Sequence, residues 1–167
     1  MAHIRRYNPG WCTHIPVLVK ILEMSEGPVL ELGIGVFSTP LLHQLCYNQR
    51  RLLVSYESDK NYFDMHGNFV SPLHTIGFVE NWDDIRIEET PWGMVFVDHI
   101  EERRKVEAAR VANIARFVVI HDSDPSQDKH YHYSDIYPLF KYRFDYIKSI
   151  PNTTVLSNFV DVNKLEI

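Results

Sequence analysis

A chain of 167 residues with 22 Asp and Glu against 17 Lys and Arg, a formal charge of −5, has no broad positive field for a phosphate backbone, so nucleic acid is disfavoured as a partner. Apolar residues at 45% and charged residues at 23% exclude a mainly disordered chain, and the length suits one domain over 1–167 that buries roughly two-thirds of its unfolded surface. The two cysteines, Cys12 and Cys46, form no C-x-x-C, and no run reaches the roughly 20 apolar residues of a membrane span, so the chain reads as cytoplasmic, with no disulfide framework, structural zinc site or membrane partner.

The N-terminal segment 1–27 reads as helical. After a turn at NPGW, the stretch THIPVLVKILEM places apolar residues at helical spacing with Thr13 as an N-cap, and EGP ends it. VLELGIGVFSTPLLHQL then runs from a short buried strand through glycines 33 and 35 into a second helix with Pro40 in its first turn. Strand, glycine turn and helix start form a cradle in which backbone N–H groups approach a ligand. The spacing is not that of a dinucleotide site, because Ser38 stands where G-x-G-x-x-G requires its third glycine.

RLLVSYE is a second strand ending in an acid, and SDKNYFDMHGNF begins a helix with Ser58 as cap. HTIGFVEN and WGMVFVD read as the third and fourth strands. From Glu101 to Ala115 the pattern is helical, and the basic run EERRKVEAAR, interleaved with Glu, reads as a solvated helix face. RFVVIHD is a fifth buried strand, and YSDIYPLFKY a short helix interrupted near Pro138. YRFDYIKSI and TTVLSNFVDV are separated only by PN, which leaves no room for a crossover helix, so they pair as an antiparallel hairpin. Right-handed crossovers then predict an α/β fold: a doubly wound, mostly parallel, seven-stranded sheet with helices on both faces and a C-terminal antiparallel β-hairpin.

This order resembles the class I S-adenosylmethionine-dependent methyltransferases, whose seven-stranded sheet ends in such a reversed hairpin. ELGIGVFST is similar to that family's first motif, an acid followed by G-x-G at the end of the first strand, and SYES to its second. The resemblance implies S-adenosylmethionine as cofactor, held by Glu31, Gly33, Gly35, Ser38, Thr39, Glu57 and Ser58, with an adenine contact at Asn81, Trp82 or Asp83. The chemistry of the residues agrees. Glu31 suits a ligand with an ammonium and a sulfonium rather than a pyrophosphate, the glycines leave room for a close approach, and Glu57 at a strand end suits ribose hydroxyls. Trp82 has a second reading as a core residue.

The fourth and fifth strand ends, VFVDHIEERRK and VVIHDSD, face donor and acceptor in that family, which implies catalytic roles for Asp98, His99, His121 and Asp122. Methyl transfer depends mainly on positioning, and a hydroxyl acceptor has to lose a proton, which His99 or His121 suits near neutral pH. Metal-dependent catechol-type relatives carry an aspartate after the fourth strand and Asp-Asn after the fifth. This chain has His121 and Asp122 at the latter place, so a magnesium-like divalent metal at Asp98 and Asp122, which would lower an acceptor hydroxyl's pKa, is a candidate that this departure from an oxygen-rich ligand set counts against. His14 either lines the site or caps the first helix. In the loop HDSDPSQDKHYHYSD, His130 and His132 lack regular metal spacing, and Tyr131 and Tyr133 are candidates to close over the acceptor.

The expected function is methyl transfer from S-adenosylmethionine to a small-molecule acceptor, on a hydroxyl oxygen. Acceptor selection falls to residues 1–20, the loop 123–135 or a second subunit of a homodimer. The alternatives are a module that binds the nucleoside without turnover, and a nicotinamide-dependent oxidoreductase, against which Ser38 and the terminal hairpin count.

Overall fold

The structure, a computed structural model, describes residues 8–167; the first seven residues of the predicted N-terminal helical segment lie outside the described residues. Seven strands form one sheet: β1 (Val29–Leu32), β2 (Leu53–Glu57), β3 (His74–Phe78), β4 (Met94–Val97), β5 (Val118–His121), β6 (Tyr142–Tyr146) and β7 (Thr153–Ser157). Their order across the sheet is β3-β2-β1-β4-β5-β7-β6. The first five are parallel, while β7 enters antiparallel between β5 and β6. The chain reverses its winding direction between β1 and β4, the place where an open α/β sheet leaves a crevice at its carboxyl edge.

Every residue of β1, β4 and β5 is buried, as expected of parallel strands covered on both faces. Their side chains alternate between two cores. Leu30, Leu32, Val95, Val97, Val118 and Ile120 join Trp82, Trp92, Ala108 and Tyr133 on one face. Val29, Met94, Phe96 and Val119 meet Val17, Leu18, Ile21 and Leu42 on the other, where α1 (Ile15–Met24) and α2 (Ser38–Asn48) lie. No helix among the described residues is long and apolar enough to cross a membrane.

Several local expectations change. Thr13 does not cap α1: His14 occupies that position without a side-chain cap bond, because the Thr13 hydroxyl is engaged with the C-terminal hairpin. The cap of α3 (Lys60–His66) is Asp59 rather than Ser58, its carboxylate accepting the backbone N–H of Asn61 at 2.8 Å. No α-helix joins β3 to β4; two single 3-10 turns, Trp82–Asp84 and Ile87–Glu89, make the crossing. The helix expected over 101–115 narrows to α4 (Arg104–Arg110) with turns at either end, and its basic run is not simply solvated, since Arg104 and Glu107 are buried. Between β5 and β6 the chain forms only the four-residue α5 (Asp128–Tyr131) and three 3-10 turns.

Gly33 marks the tightest constraint on the crevice. Its φ is +97°, and a Cβ there would lie 2.3 Å from the carbonyl oxygen of Asp98, so the end of β1 touches the end of β4 only through a glycine. Gly33→Ala is expected to destabilise the chain by about 3 kcal/mol in urea unfolding, from left-handed strain plus overlap. Gly67→Ala, where a Cβ would meet nothing within 4 Å, is expected to be neutral or slightly stabilising.

Candidate active site

A cavity of about 960 Å³ opens at the carboxyl edge of the sheet. Its walls are the turn 34–38 after β1, Glu57, Ser58, Asp59 and Tyr62 after β2, Asp98, His99 and Ile100 after β4, and Arg104, His121 and Asp122. Asn8, Pro9, Gly10, Trp11 and His14 close one side together with Ile150 and Pro151 of the hairpin loop.

At the glycine-turn end, Glu57 ties two strand exits together. Its Oε2 accepts the N–H of Ile34 at 2.8 Å, and its Oε1 accepts those of Ser58 at 2.7 Å and Asp59 at 2.6 Å. Burial pushes its pKa up, opposed by these three N–H groups. Gly35 and Ser38 also stand in the wall, and a Cβ on Gly35 would meet the Ser38 hydroxyl at 2.7 Å.

Glu31, Gly33 and Thr39 lie behind this wall. The Glu31 side chain leaves β1 on the face covered by α2, fully buried, where it accepts hydrogen bonds from Ser55 at 2.5 Å and Thr39 at 2.9 Å, and burial pushes its pKa up to about 7. Thr39 in turn accepts the N–H of Gly35 at 3.0 Å, so Glu31 holds the turn from beneath. Gly33 serves the contact with β4 described above, not ligand room. Asn81, Trp82 and Asp83 are likewise outside the wall. Asn81 caps its own 3-10 turn, Asp83 pairs with Arg103 at 2.6 Å, and Trp82 is a core residue whose ring stands 4.3 Å from that of His99.

The other end of the cavity brings together Asp98, His121 and Asp122 around a residue that pattern reading passed over, Arg104. Its Nη2 lies 2.9 Å from Asp98 Oδ1, its Nη1 donates to Asp122 Oδ2 at 2.9 Å, and its Nε donates to the His99 carbonyl at 2.6 Å. The Tyr131 ring covers the guanidinium at 4.5 Å, and the Tyr133 hydroxyl donates to the His121 carbonyl at 3.2 Å. Both tyrosines are therefore packed behind Arg104 and Asp122 rather than over the cavity mouth. His130 is half-exposed beside Glu101. His99 borders the cavity, but its imidazole is fully buried, with Nε2 3.2 Å from Glu107 Oε2; burial holds its pKa below the usual range.

His121 is held at both nitrogens: Nδ1 lies 3.2 Å from Asp98 Oδ2 and Nε2 lies 2.9 Å from the Thr13 hydroxyl. The Thr13 hydroxyl faces two carbonyl acceptors, Pro151 at 2.8 Å and Gly10 at 3.2 Å, and with its one proton directed to them it accepts from His121 Nε2–H. Burial opposes a charge on His121, yet the hydrogen bond and charge of Asp98 outweigh it and raise its pKa. Burial likewise opposes the charge on Asp98, but Arg104 and His121 prevail and hold its carboxyl down at about 2. His14 differs: it is buried, neither ring nitrogen has a hydrogen-bond partner, and burial with the neighbouring His121 lowers its pKa to about 4.

Asp122 has φ +53°, in the left-handed region, which fits its place at a bend aimed into the site. The carboxylates Asp98 and Asp122 do not fit an oxygen-coordinated, magnesium-like ion between them. The Arg104 guanidinium already bridges one oxygen of each, and such an ion demands several oxygen ligands in near-octahedral order. Arg104 lies in a charge run and Thr13 before a helix, so neither spacing marks a site; the packing of α4 brings Arg104 to Asp98 and Asp122, and the hairpin loop brings Thr13 to His121.

The strand order, the reversed β6-β7 pair and the crevice after β1 are the fold of the class I S-adenosylmethionine-dependent methyltransferases. No family model matches the chain, and no curated protein matches it. Among solved structures, it is similar to cofactor-bound Rv0187 from MTB at 15% identity and TM-score 0.67, covering 95% of this chain and 84% of that one. It is also similar to the O-methyltransferase from Bacillus cereus in complex with SAH, at 12% identity and TM-score 0.64, covering 92% and 83%. An RNA methyltransferase from Salinibacter ruber in complex with S-adenosyl-L-homocysteine follows at 14% identity and TM-score 0.53, covering 85% and 89%.

Proposed function

We propose that this chain binds S-adenosylmethionine along the turn 34–38 and Glu57, and methylates a hydroxyl oxygen of a small molecule at the Asp98–His121–Asp122 end of the same cavity. The observation that carries the reading is the continuity of that cavity, with a strand-end carboxylate at one end and a cluster of ionised groups at the other. The residues fit the cofactor: Glu57 keeps lone pairs for ribose hydroxyls, Gly35 and Ser38 present a small wall, and the start of α2 lies beside them. When bound, S-adenosylmethionine supplies an electrophilic methyl group.

The chain's own residues then position and polarise the acceptor. Arg104, with the imidazole of His121 beside it, stabilises the negative charge that grows on an attacking oxygen, and Asp122 receives the hydroxyl proton. Asp98 touches both Arg104 and His121 and holds them in place. Trp11, Ile100 and Ile150 at the rim, each about half-exposed or more, favour an acceptor with an apolar body.

Titration calorimetry with S-adenosylhomocysteine tests the reading. Binding is expected in the wild type and weakened about thirtyfold in Glu57→Ala, the loss of charge-assisted bonds to a ribose. No heat of binding at millimolar ligand would sink it.

A further inference from the structure

Two buried imidazoles meet at the inner end of the cavity, and one of them lacks any hydrogen-bond partner. His14 is 2% exposed, lines the cavity, and leaves both ring nitrogens unpartnered. A buried polar group left so costs about 1–3 kcal/mol. The His121 Nδ1 faces two acceptor oxygens, Asp98 Oδ2 at 3.2 Å and Asp122 Oδ1 at 3.6 Å, while its Nε2–H is committed to Thr13. A positive centre, a proton or a metal ion, has to lie between that nitrogen and the carboxylates. The rings of His14 and His121 meet edge-on, with centroids 4.7 Å apart at 82°, and one donor atom from each of His14, Asp98 and His121 lies within 4.8 Å of the others.

We propose that His14, Asp98 and His121 form a binding site for a divalent transition-metal ion of the zinc class, with a coordination position open to the cavity. Two imidazole nitrogens and one carboxylate suit zinc, cobalt or iron(II) and not magnesium. Ligand atoms at about 2.1 Å from a tetrahedral ion stand about 3.4 Å apart, close to the Nδ1 to Oδ2 separation of 3.2 Å. The surroundings are those of a metal site. Thr13 fixes the far nitrogen of His121 and is itself fixed by the Pro151 carbonyl, and Arg104 holds Asp98 by Oδ1, leaving Oδ2 for the ion. Asp98 and Asp122 together outweigh the single charge of Arg104, so a net negative charge remains to receive a cation. This site is distinct from an oxygen-coordinated ion between Asp98 and Asp122, which Arg104 excludes, and it does not depend on methyl transfer.

Cobalt(II) is the probe. Tag-free, chelator-stripped protein titrated with Co²⁺ is expected to develop the intense visible absorption of a low-coordinate site at one ion per chain, bleached by Zn²⁺. His14→Phe and His14→Gln are expected to lose it while melting cooperatively. Thr13→Val, which keeps all three ligands, is expected to bind about 10- to 100-fold more weakly. His130→Ala is expected to bind as wild type does. No such band in the wild type, or wild-type affinity in both His14 variants, would overturn the proposal. Cobalt binding without S-adenosylhomocysteine binding would leave the metal site standing and remove the methyl-transfer reading; the reverse result would do the opposite.

Discussion

Replacing Arg104 by methionine is expected to lower the unfolding free energy by about 3 kcal/mol, read from urea denaturation at neutral pH. The side chain is 10% exposed and stands between two carboxylates each about one-fifth exposed, so its removal leaves Asp98 and Asp122 facing one another with only His121 to balance them. The acid limb carries the signature. Asp98 is held at about 2 against an ordinary 3.8, so its contribution is present above pH 3.8 and disappears as the pH falls through 2. That contribution is about 2 kcal/mol in the wild type, and in Arg104→Met the fall over this window should shrink, because the guanidinium opposing the cost of burial is gone. An unchanged acid limb would show that Arg104 does not set the charge state of Asp98.

Replacing Glu31 by glutamine is expected to reverse sign with pH. Burial raises the Glu31 carboxyl to about 7, opposed by the hydroxyls of Ser55, Ser38 and Thr39. A carboxyl raised above its unfolded value favours the folded state below pH 4.5, and that advantage is lost as the pH rises through 7. The wild type should therefore lose about 3 kcal/mol from this group between pH 5 and pH 8, a loss absent from Glu31→Gln. Urea midpoints across that range check it, and parallel curves for the two proteins would refute it. The neutral amide keeps an acceptor for Thr39 or Ser55, so the glycine turn should persist. Beyond Ser55 the chain of contacts runs at 2.8 Å to Nε2 of His74, on the edge strand β3, and from His74 Nδ1 to His43 Nδ1 at 3.0 Å.

Both experiments concern residues whose roles were read differently from pattern and from position. Glu31 stood in a motif next to two glycines, which made it a candidate ligand contact; the alternation of β1 turned it to the opposite face, and Thr39 and Ser55 were waiting there. Asn81, Trp82 and Asp83 follow β3, but the 3-10 turn that replaces a crossover helix there puts the Trp82 ring in the core against His99 and leaves Asn81 and Asp83 exposed, away from the cavity wall. Glu57, Ser58, Gly35, Ser38, Asp98, His121 and Asp122 do share one cavity, because each sits within a few residues of a strand's carboxyl end, and a parallel sheet brings those ends to one edge.

What the order of residues determined was the architecture. Seven strands, their parallel run and the terminal reversal follow from apolar runs, breakers and the lengths between them, which are local quantities. What only the tertiary structure decided was the partnership of side chains far apart in the chain: Thr13 with His121, Arg104 with Asp98 and Asp122, and His14 brought beside His121 with no partner of its own. Direction and distance between such groups depend on how strands alternate and where loops cross, and neither is written in the spacing of any one segment.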